Sequence, residues 1–448
     1  FLNDEIPDYF RAVNSQKCIR VSGKHNDLEE VGVDKFHHTF FEMLGNWSFG
    51  DYYKVDAIKW TWELFTGIWQ LDQNRLWVSV YYKDQEAYDI WLKHTNISKD
   101  RIVKCKEKDN FWEMGSTGPC GPCSEIHYYI GNEISNQKPN GVNNSNEYWE
   151  LGNVVFIQFN RLKDGSLVEL SKKHIDTGFG LERIATVLQG KKSNYDTDLF
   201  IPIINKIESL SSVPYENIIV AHRVIADHIR MLCFSIADGA LPSNDGRGYV
   251  LRRILRRASR FGRKIGLEKP FLYKLVKEVG TIMGDSYPEL NEKCSHIEKV
   301  ILAEEESFLK TLGRGINHFE RIISKIKNNI LTGEDAFKLY DTYGFPLDLT
   351  VLMAKEKKIK VDEIGFQKAM KIQKKRAKDK GNFKINQVDM NWSIVSEGEH
   401  SKFLGYEEIV SKSKIRKYAI KDGLIFLVLD QTPFYAESGG QIGDAGII

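Results

Sequence analysis

The 448-residue chain reads as an α+β protein: an antiparallel β-sheet flanked by helices, then a helical segment, then a β-rich end. Aromatic and β-branched runs of strand length crowd residues 1–190 without regular βαβ alternation. Through residues 191–385 apolar residues recur at steps of three and four. Strand-length apolar runs return from residue 386 onward. These shifts define three expected domains, 1–190, 191–385 and 386–448.

In the first segment KCIRV (17–21), HTFFEML (38–44), RLWVSVYY (75–82), EIHYYI (125–130) and NVVFIQF (153–159) read as strands. DAIKWTWELFTGIW (56–69) has helical apolar spacing. In the second segment Phe308, Leu312, Ile316, Phe319 and Ile323 mark the apolar face of a long amphipathic helix. Residues 371–384 form a charged stretch, a solvated helix end or a linker. In the third, KYAIKDGLIFLVLD is a hairpin pattern turning at Asp422-Gly423. A Gly-rich unit opens at GGQIGDAGII.

Hydrophobic content of 42% and charged content of 28% fit an ordinary globular protein. The longest apolar runs, VVFIQF and LIFLVL, fall far short of the ~18 residues that cross a membrane. No basic stretch followed by an apolar one marks a secretory signal. Six Cys are too sparse for a disulfide scaffold, so a reducing, cytoplasmic setting is expected. The chain starts without Met, as a piece of a longer protein would. The P-loop pattern, H-E-x-x-H and G-x-S-x-G are all absent from the sequence.

Residues 250–264, VLRRILRRASRFGRK, hold seven Arg or Lys in fifteen positions, although the whole chain carries a net charge of only +2. On a helix Arg252, Arg256, Arg260 and Arg263 form one stripe, and Arg253, Arg257 and Lys264 its neighbour. Ile254, Ala258, Phe261 and Ile265 supply a packing face. No acid stands between Asp245 and Glu268 to pair at i, i+4. The helix is therefore expected to present a ridge of about seven cations to a polyanion, in the manner of a nucleic-acid binder. A solvated charged face is the competing reading. The flanking LPSNDGRGY suits close approach to a nucleic-acid groove, and equally a helix N-cap at Ser243 or Asn244.

Three stretches carry candidate chemistry. Arg20, Lys24, His25, Asn26 and Asp27 fall on or just after a strand, before the next one. Two cations there can hold a triphosphate, Arg20 bidentately; a hairpin with a solvated loop explains the same letters. In DTGFGLERIATVLQG, Asp176 and Thr177 precede two glycines and a helix that opens with Glu182 and Arg183. A helix N-terminus favours acids, so Arg183 points to an external anion, or to pairing with Glu182 or another neighbour. GPCGPCSEIHYY holds the only C-x-x-C, Cys120 and Cys123, with His127 after it. A structural zinc needs four ligands, and their shortage favours a Gly/Pro-shaped wall beside a pocket.

Together these stretches resemble the alanyl-tRNA synthetase family of class II aminoacyl-tRNA synthetases, over essentially the whole chain. GKHNDLEEVG and HHTFFEMLGNWSFGDY resemble its motif 2, DTGFGLERIA its motif 3, and GPCGPCSEI with NVVFIQFNR its amino-acid pocket. VIADHIRMLCFSIADGALPSNDGRGYVLRRILRRASR and AFKLYDTYGFPLDLT resemble its tRNA acceptor-stem region. FYAESGGQIGDAG resembles the opening of its editing domain.

The resemblance implies the class II antiparallel sheet, a helical tRNA-recognition domain and the start of a β-barrel editing domain. It implies ligation of alanine to tRNA(Ala) with ATP and Mg²⁺, by way of alanyl-adenylate. On that basis Arg20 binds the α-phosphate and the alanine carboxylate, Lys24 sits near the departing pyrophosphate, and Arg183 holds the γ-phosphate. Asp176 accepts the alanine ammonium, with Asn153, Gln158 and Gly178 in the pocket. Met43, Trp47 and Phe49 border the adenine. Asn244, Arg247, Arg253, Arg257 and Asp341 match the tRNA-binding region, Arg257 and Asp341 being the readers of a G·U pair in the stem.

The chain departs from the family at Gly246, where many members carry Asn, and at Gly152, where many carry a Trp that shapes the alanine pocket. Motif 1 is expected before Phe1. No H-x-x-x-H occurs, so zinc is expected only in a part of the editing domain absent from this sequence. Two other classes fit less well. One is an RNA-binding relative without catalysis; the other is a freestanding editing hydrolase, which only residues 386–448 would support.

Overall fold

Strands β1 (Arg11–Ile19), β2 (Phe40–Ser48), β3 (Leu76–Tyr81), β4 (Ile102–Cys105), β5 (Phe111–Glu113), β6 (Gly118–Tyr129), β7 (Tyr148–Arg161) and β8 (Leu167–Gly180) form one sheet. Its order is β1-β2-β8-β7-β6-β3-β4, with β5 on β6. All these pairings are antiparallel except β3 with β4. The computed structural model describes residues 1–2, 8–21, 28–243, 246–326, 328–343, 345, 347–381, 391–398, 401–405, 408–421, 423–434 and 444–448. The chain divides into two compact units, residues 1–329 with 338–360, and residues 330–337 with 361–448.

The first strand lies earlier than the expected 17–21. Its nine residues pair throughout with β2, from Arg11 opposite Ser48 to Ile19 opposite Phe40. β4, β5 and β8 were not legible as strands. β8 reads LVELSKKHIDTGFG; its first half is mostly exposed, and burial begins at His174. It holds an interior place in the sheet because β2 and β7 both pair with it, and such ladders override weak propensity.

One core packs the sheet against α1 (Lys54–Glu63) and α2 (Gln85–His94): Ile58, Trp62 and Trp91 meet Val78, Leu151, Phe156 and Phe179. The helix expected over 56–69 is α1 continued by a π-helical turn, Leu64–Ile68. After α3 (Glu107–Asn110), α4 (Leu181–Leu188) leaves β8 directly. Then follow α5 (Ile201–Ser211), α6 (Ile219–Ala237), α7 (Gly246–Lys264), α8 (Val276–Met283), α9 (Glu289–Glu292) and α10 (Cys294–Ile323). They build a second core around the almost wholly buried α6, which Val21, Leu28 and Phe40 join. Phe308 and Phe319 of α10 are buried, as their spacing predicts.

On α7 the packing face is as expected: Ile254, Ala258, Phe261 and Ile265 are buried. The ridge of free cations is not. Arg257 and Arg260 are each only 3% exposed, and Arg252 and Arg256 both reach Glu304 of α10, at 2.8 and 3.4 Å. The missing acid comes from 52 and 48 residues away in sequence, a partner that no i, i+4 rule reveals.

In the second unit Ile415–Lys421 and Leu424–Leu429 pair as the expected hairpin, with Gly423 in the left-handed region at φ +77°. Asp422 lies outside the described residues, as does most of the Gly-rich run. Helix Glu363–Gly381 takes up the first part of the charged stretch. Among the described residues no helix is long and apolar enough to cross a membrane.

Candidate functional site

A cavity of about 120 Å³ opens where β2, β8 and β7 run side by side, at the start of α4. Register sets what faces it. Gly45, Gly178 and Asn153 stand abreast across the three strands, and Trp47, Asp176 and Val155 form the next row of that face. Arg20, Met43, Asn153, Gly178 and Arg183, all expected site residues, line the cavity.

Arg20 follows the end of β1. Its backbone N–H donates to the Thr39 carbonyl at 3.0 Å, and its guanidinium lies 4.9 Å from the centre of the Phe41 ring. It forms no ion pair among the described residues. Arg183, in the first turn of α4, lies 4.9 Å from the Phe36 ring centre and donates to the Glu150 carbonyl at 2.6 Å. The Glu150 carboxylate is 3.7 Å away. Arg183 thus pairs with Glu150 and not with Glu182. Glu182 turns into the core, where it accepts Arg230 at 2.7 Å and the Glu42 backbone N–H at 3.2 Å.

Asp176 is half-buried one row from the lining. Burial raises its carboxyl pKa, and a hydrogen bond from Trp47 works against that rise. It has no cationic partner among the described residues, so an arriving ammonium would offset the cost of its burial. The floor is built of glycine. A Cβ on Gly178 would lie 2.9 Å from Met43 Sδ, and one on Gly152 would collide with the Gly178 carbonyl oxygen. The Trp that many family members carry has no room at position 152 in this chain.

Other expected residues stand elsewhere. Trp47 covers Gly45 and holds Asp176 instead of lining the cavity. Phe49, just past β2, packs on Phe1 and Tyr9 at 5.4 and 5.9 Å. Gln158 accepts the Tyr53 hydroxyl at 2.8 Å, about 16 Å along β7 from Asn153 at the usual strand rise. Both are away from the cavity because their strands carry them past it. Asn153 itself donates to Glu150 at 2.6 Å. Lys24 and Asn244 lie outside the described residues. Arg247 and Asp341 are exposed, and Arg253 is half-buried. Arg257 is buried, which corrects its reading as a solvent-facing reader of RNA. Gly246 sits at φ +52°, a conformation that favours glycine over a side chain.

Phe36, His38, Phe41 and Glu150 also line the cavity and were not singled out from sequence. For Phe36, His38 and Phe41 the one signal is the aromatic run FHHTFF, which leads into β2; Glu150 has none. Cys120 and Cys123 are buried free thiols on β6, and among the described residues no three His, Cys, Asp or Glu group to hold a metal.

Comparison with known proteins agrees with this architecture. The family described as tRNA synthetases class II (A) matches residues 1–448. A protein of Chlorobium phaeobacteroides named Alanine--tRNA ligase is 51% identical over all of this chain and 52% of its own length. One of the same name from Francisella philomiragia subsp. philomiragia is 50% identical over all of this chain and 52% of its own length. The chain thus spans about half the length of the curated relatives it matches. With the antiparallel sheet, the arginine-flanked cavity and a match from end to end, the chain belongs to the class II tRNA synthetases.

Proposed function

We propose that the protein containing this chain activates alanine with ATP and transfers it to the 3′ end of tRNA(Ala). The observation that carries this reading is the meeting of Arg20 and Arg183 at one cavity, with Asp176 one row away. The name shared by the relatives supports alanine as the amino acid. In the first step an alanine carboxylate oxygen bonds to the α-phosphorus as the bond to pyrophosphate breaks, and charge spreads over the phosphoryl oxygens. Arg20 offers its fork to that phosphate and to the incoming carboxylate. Arg183, steadied by Glu150 and Phe36, holds the γ-phosphate, and Asp176 takes the ammonium. In the second step the terminal ribose hydroxyl attacks the acyl carbon and AMP leaves.

The Mg²⁺ implied by the resemblance finds no ready group of three ligands among the described residues, and these steps use the chain's own groups alone. The helical segment 191–385 serves the acceptor stem, with exposed Arg247 and Lys264 at the two ends of α7 and exposed Asp341 as contacts. The β-rich end begins an editing domain, and the protein works in the cytoplasm. Alanine-dependent ATP–pyrophosphate exchange by the full-length protein tests the reading. Exchange with alanine, lowered at least about 10²-fold by Arg20→Ala, is expected; no exchange from the wild type overturns it.

A further inference from the structure

Between α7 and the cavity runs a buried polar chain that the proposed steps leave unused. Asp227 and His228 of α6 have no exposure, and Arg257 of α7 almost none. Asp227 lies beside the start of β2. It accepts the Thr39 backbone N–H at 3.0 Å, the Thr39 hydroxyl and His38 Nδ1–H at 3.1 Å. The oxygen that takes the Thr39 hydroxyl also accepts His228 Nδ1–H, at 2.8 Å. His228 Nε2 is 2.8 Å from Arg257 Nη1, and Arg257 Nη2 donates to the Val31 carbonyl at 3.3 Å. Asn194 Nδ2 stands 2.9 Å from His38 Nε2.

An arginine only donates, and an ionised carboxylate only accepts. His228 Nε2 is therefore an acceptor, which leaves its proton on Nδ1, aimed at Asp227. His38 likewise keeps its proton on Nδ1 and accepts from Asn194 at Nε2. Burial, opposed by the Asp227 hydrogen bond, holds the His228 pKa at about 4, so this ring is neutral at pH 7. Arg257 and Asp227 thus stand at the two ends of one buried chain bridged by a neutral imidazole, where a charge left uncompensated is costly.

The far end reaches the cavity twice. His38 lines it, and the Thr39 carbonyl seats the Arg20 backbone N–H at 3.0 Å. Both donors of Thr39 are committed to Asp227, and its acceptor holds Arg20.

We propose that Arg257 is a positioning residue for Arg20, acting through His228, Asp227 and Thr39 to fix the entrance to β2 on which the phosphate-binding arginine stands. The inference rests on the proposed role of Arg20, and it turns a cation first read as an RNA contact into an internal brace.

The test uses the full-length protein with Arg257→Met, His228→Leu and His228→Gln. Gln keeps an acceptor for Arg257 and a donor for Asp227; Leu keeps neither. Arg257→Met and His228→Leu are expected to lower the kcat of ATP–pyrophosphate exchange about 10- to 100-fold, the scale of a small misplacement of a reacting group. The affinity for tRNA is expected to hold, and His228→Gln to retain most of the activity. Amide hydrogen exchange at Arg20 and Thr39, measured on the folded protein, is expected to quicken in Arg257→Met and His228→Leu but not in His228→Gln. Full exchange activity in Arg257→Met with weakened tRNA binding overturns the proposal, as do equal losses in His228→Gln and His228→Leu, which would reduce the chain to packing. A wild-type protein without exchange activity strikes only the functional reading. The amide protection then decides the brace alone, and unchanged protection in Arg257→Met overturns it.

Discussion

Arg20 and Arg183 at the cavity, and Arg252, Arg256 and Arg257 on α7, are one kind of side chain in opposite settings. Arg20 rests on an aromatic face with no ion pair among the described residues, and Arg183 has a carbonyl at 2.6 Å and a carboxylate at 3.7 Å. Their guanidinium groups keep donors for an outside anion. Arg252 and Arg256 share the mostly buried Glu304, and Arg257 is built into a chain ending on Asp227. Dense positive charge in a sequence is thus no measure of positive potential in space. The sparse cations flank the cavity, and the dense ones are largely matched from within.

The contrast breaks most sharply at Arg183. Arg183→Ala is expected to cut ATP–pyrophosphate exchange by about 10³-fold, the scale of losing a preorganised donor, with the melting temperature hardly moved. A large loss of stability with normal exchange would place Arg183 among the matched arginines. Asp176→Asn is expected to raise the KM for alanine by about 10- to 100-fold, the worth of a charge-assisted hydrogen bond, with the KM for ATP unchanged. An unaltered alanine KM would remove it from the ammonium site.

Glu304→Gln works the other side of the comparison. It removes the charge that Arg252 and Arg256 both reach and is expected to cost about 2 kcal/mol in denaturant unfolding, the scale of a hydrogen bond to a charged group, with exchange kinetics unchanged. Unfolding midpoints equal to wild type would leave α7 a solvated ridge after all. The smallest effect belongs to Glu305, the neighbouring acid on α10. It accepts the backbone N–H groups of Phe271 and Leu272, each at 3.0 Å, and the Ser259 hydroxyl at 3.2 Å. Burial pushes its carboxyl up to about 7, so the folded chain binds this proton more tightly than the unfolded chain. Its contribution to stability is full below the ordinary carboxyl range and is lost as pH rises toward 7. Glu305→Gln is expected to flatten that part of the melting-temperature profile between pH 4.5 and 7; a slope equal to wild type would show that this carboxyl does not titrate there.

Sequence letters led to Arg20, Met43, Asn153, Gly178 and Arg183 because the stretches that carry them end at the cavity. Trp47, Phe49 and Gln158 belong to equally suggestive stretches, but where a strand residue points and how far along it lies depend on register with a partner strand. That partner, β8, was hidden because half of it is exposed and charged. The matching of the α7 arginines was hidden for a related reason: Glu304, His228 and Asp227 are distant in sequence. The α+β pattern and the buried face of α7 were legible because they rest on local periodicity.

Where β7 and β8 run together at Gly152 and Gly178, the wall of the cavity is peptide rather than side chain. A substitution trims or extends side chains; it does not delete a carbonyl. The width available to an incoming molecule on that side is therefore fixed by the fold, and selection for a wider or narrower entrant has to act on the lining side chains, Met43 beside Gly178 among them.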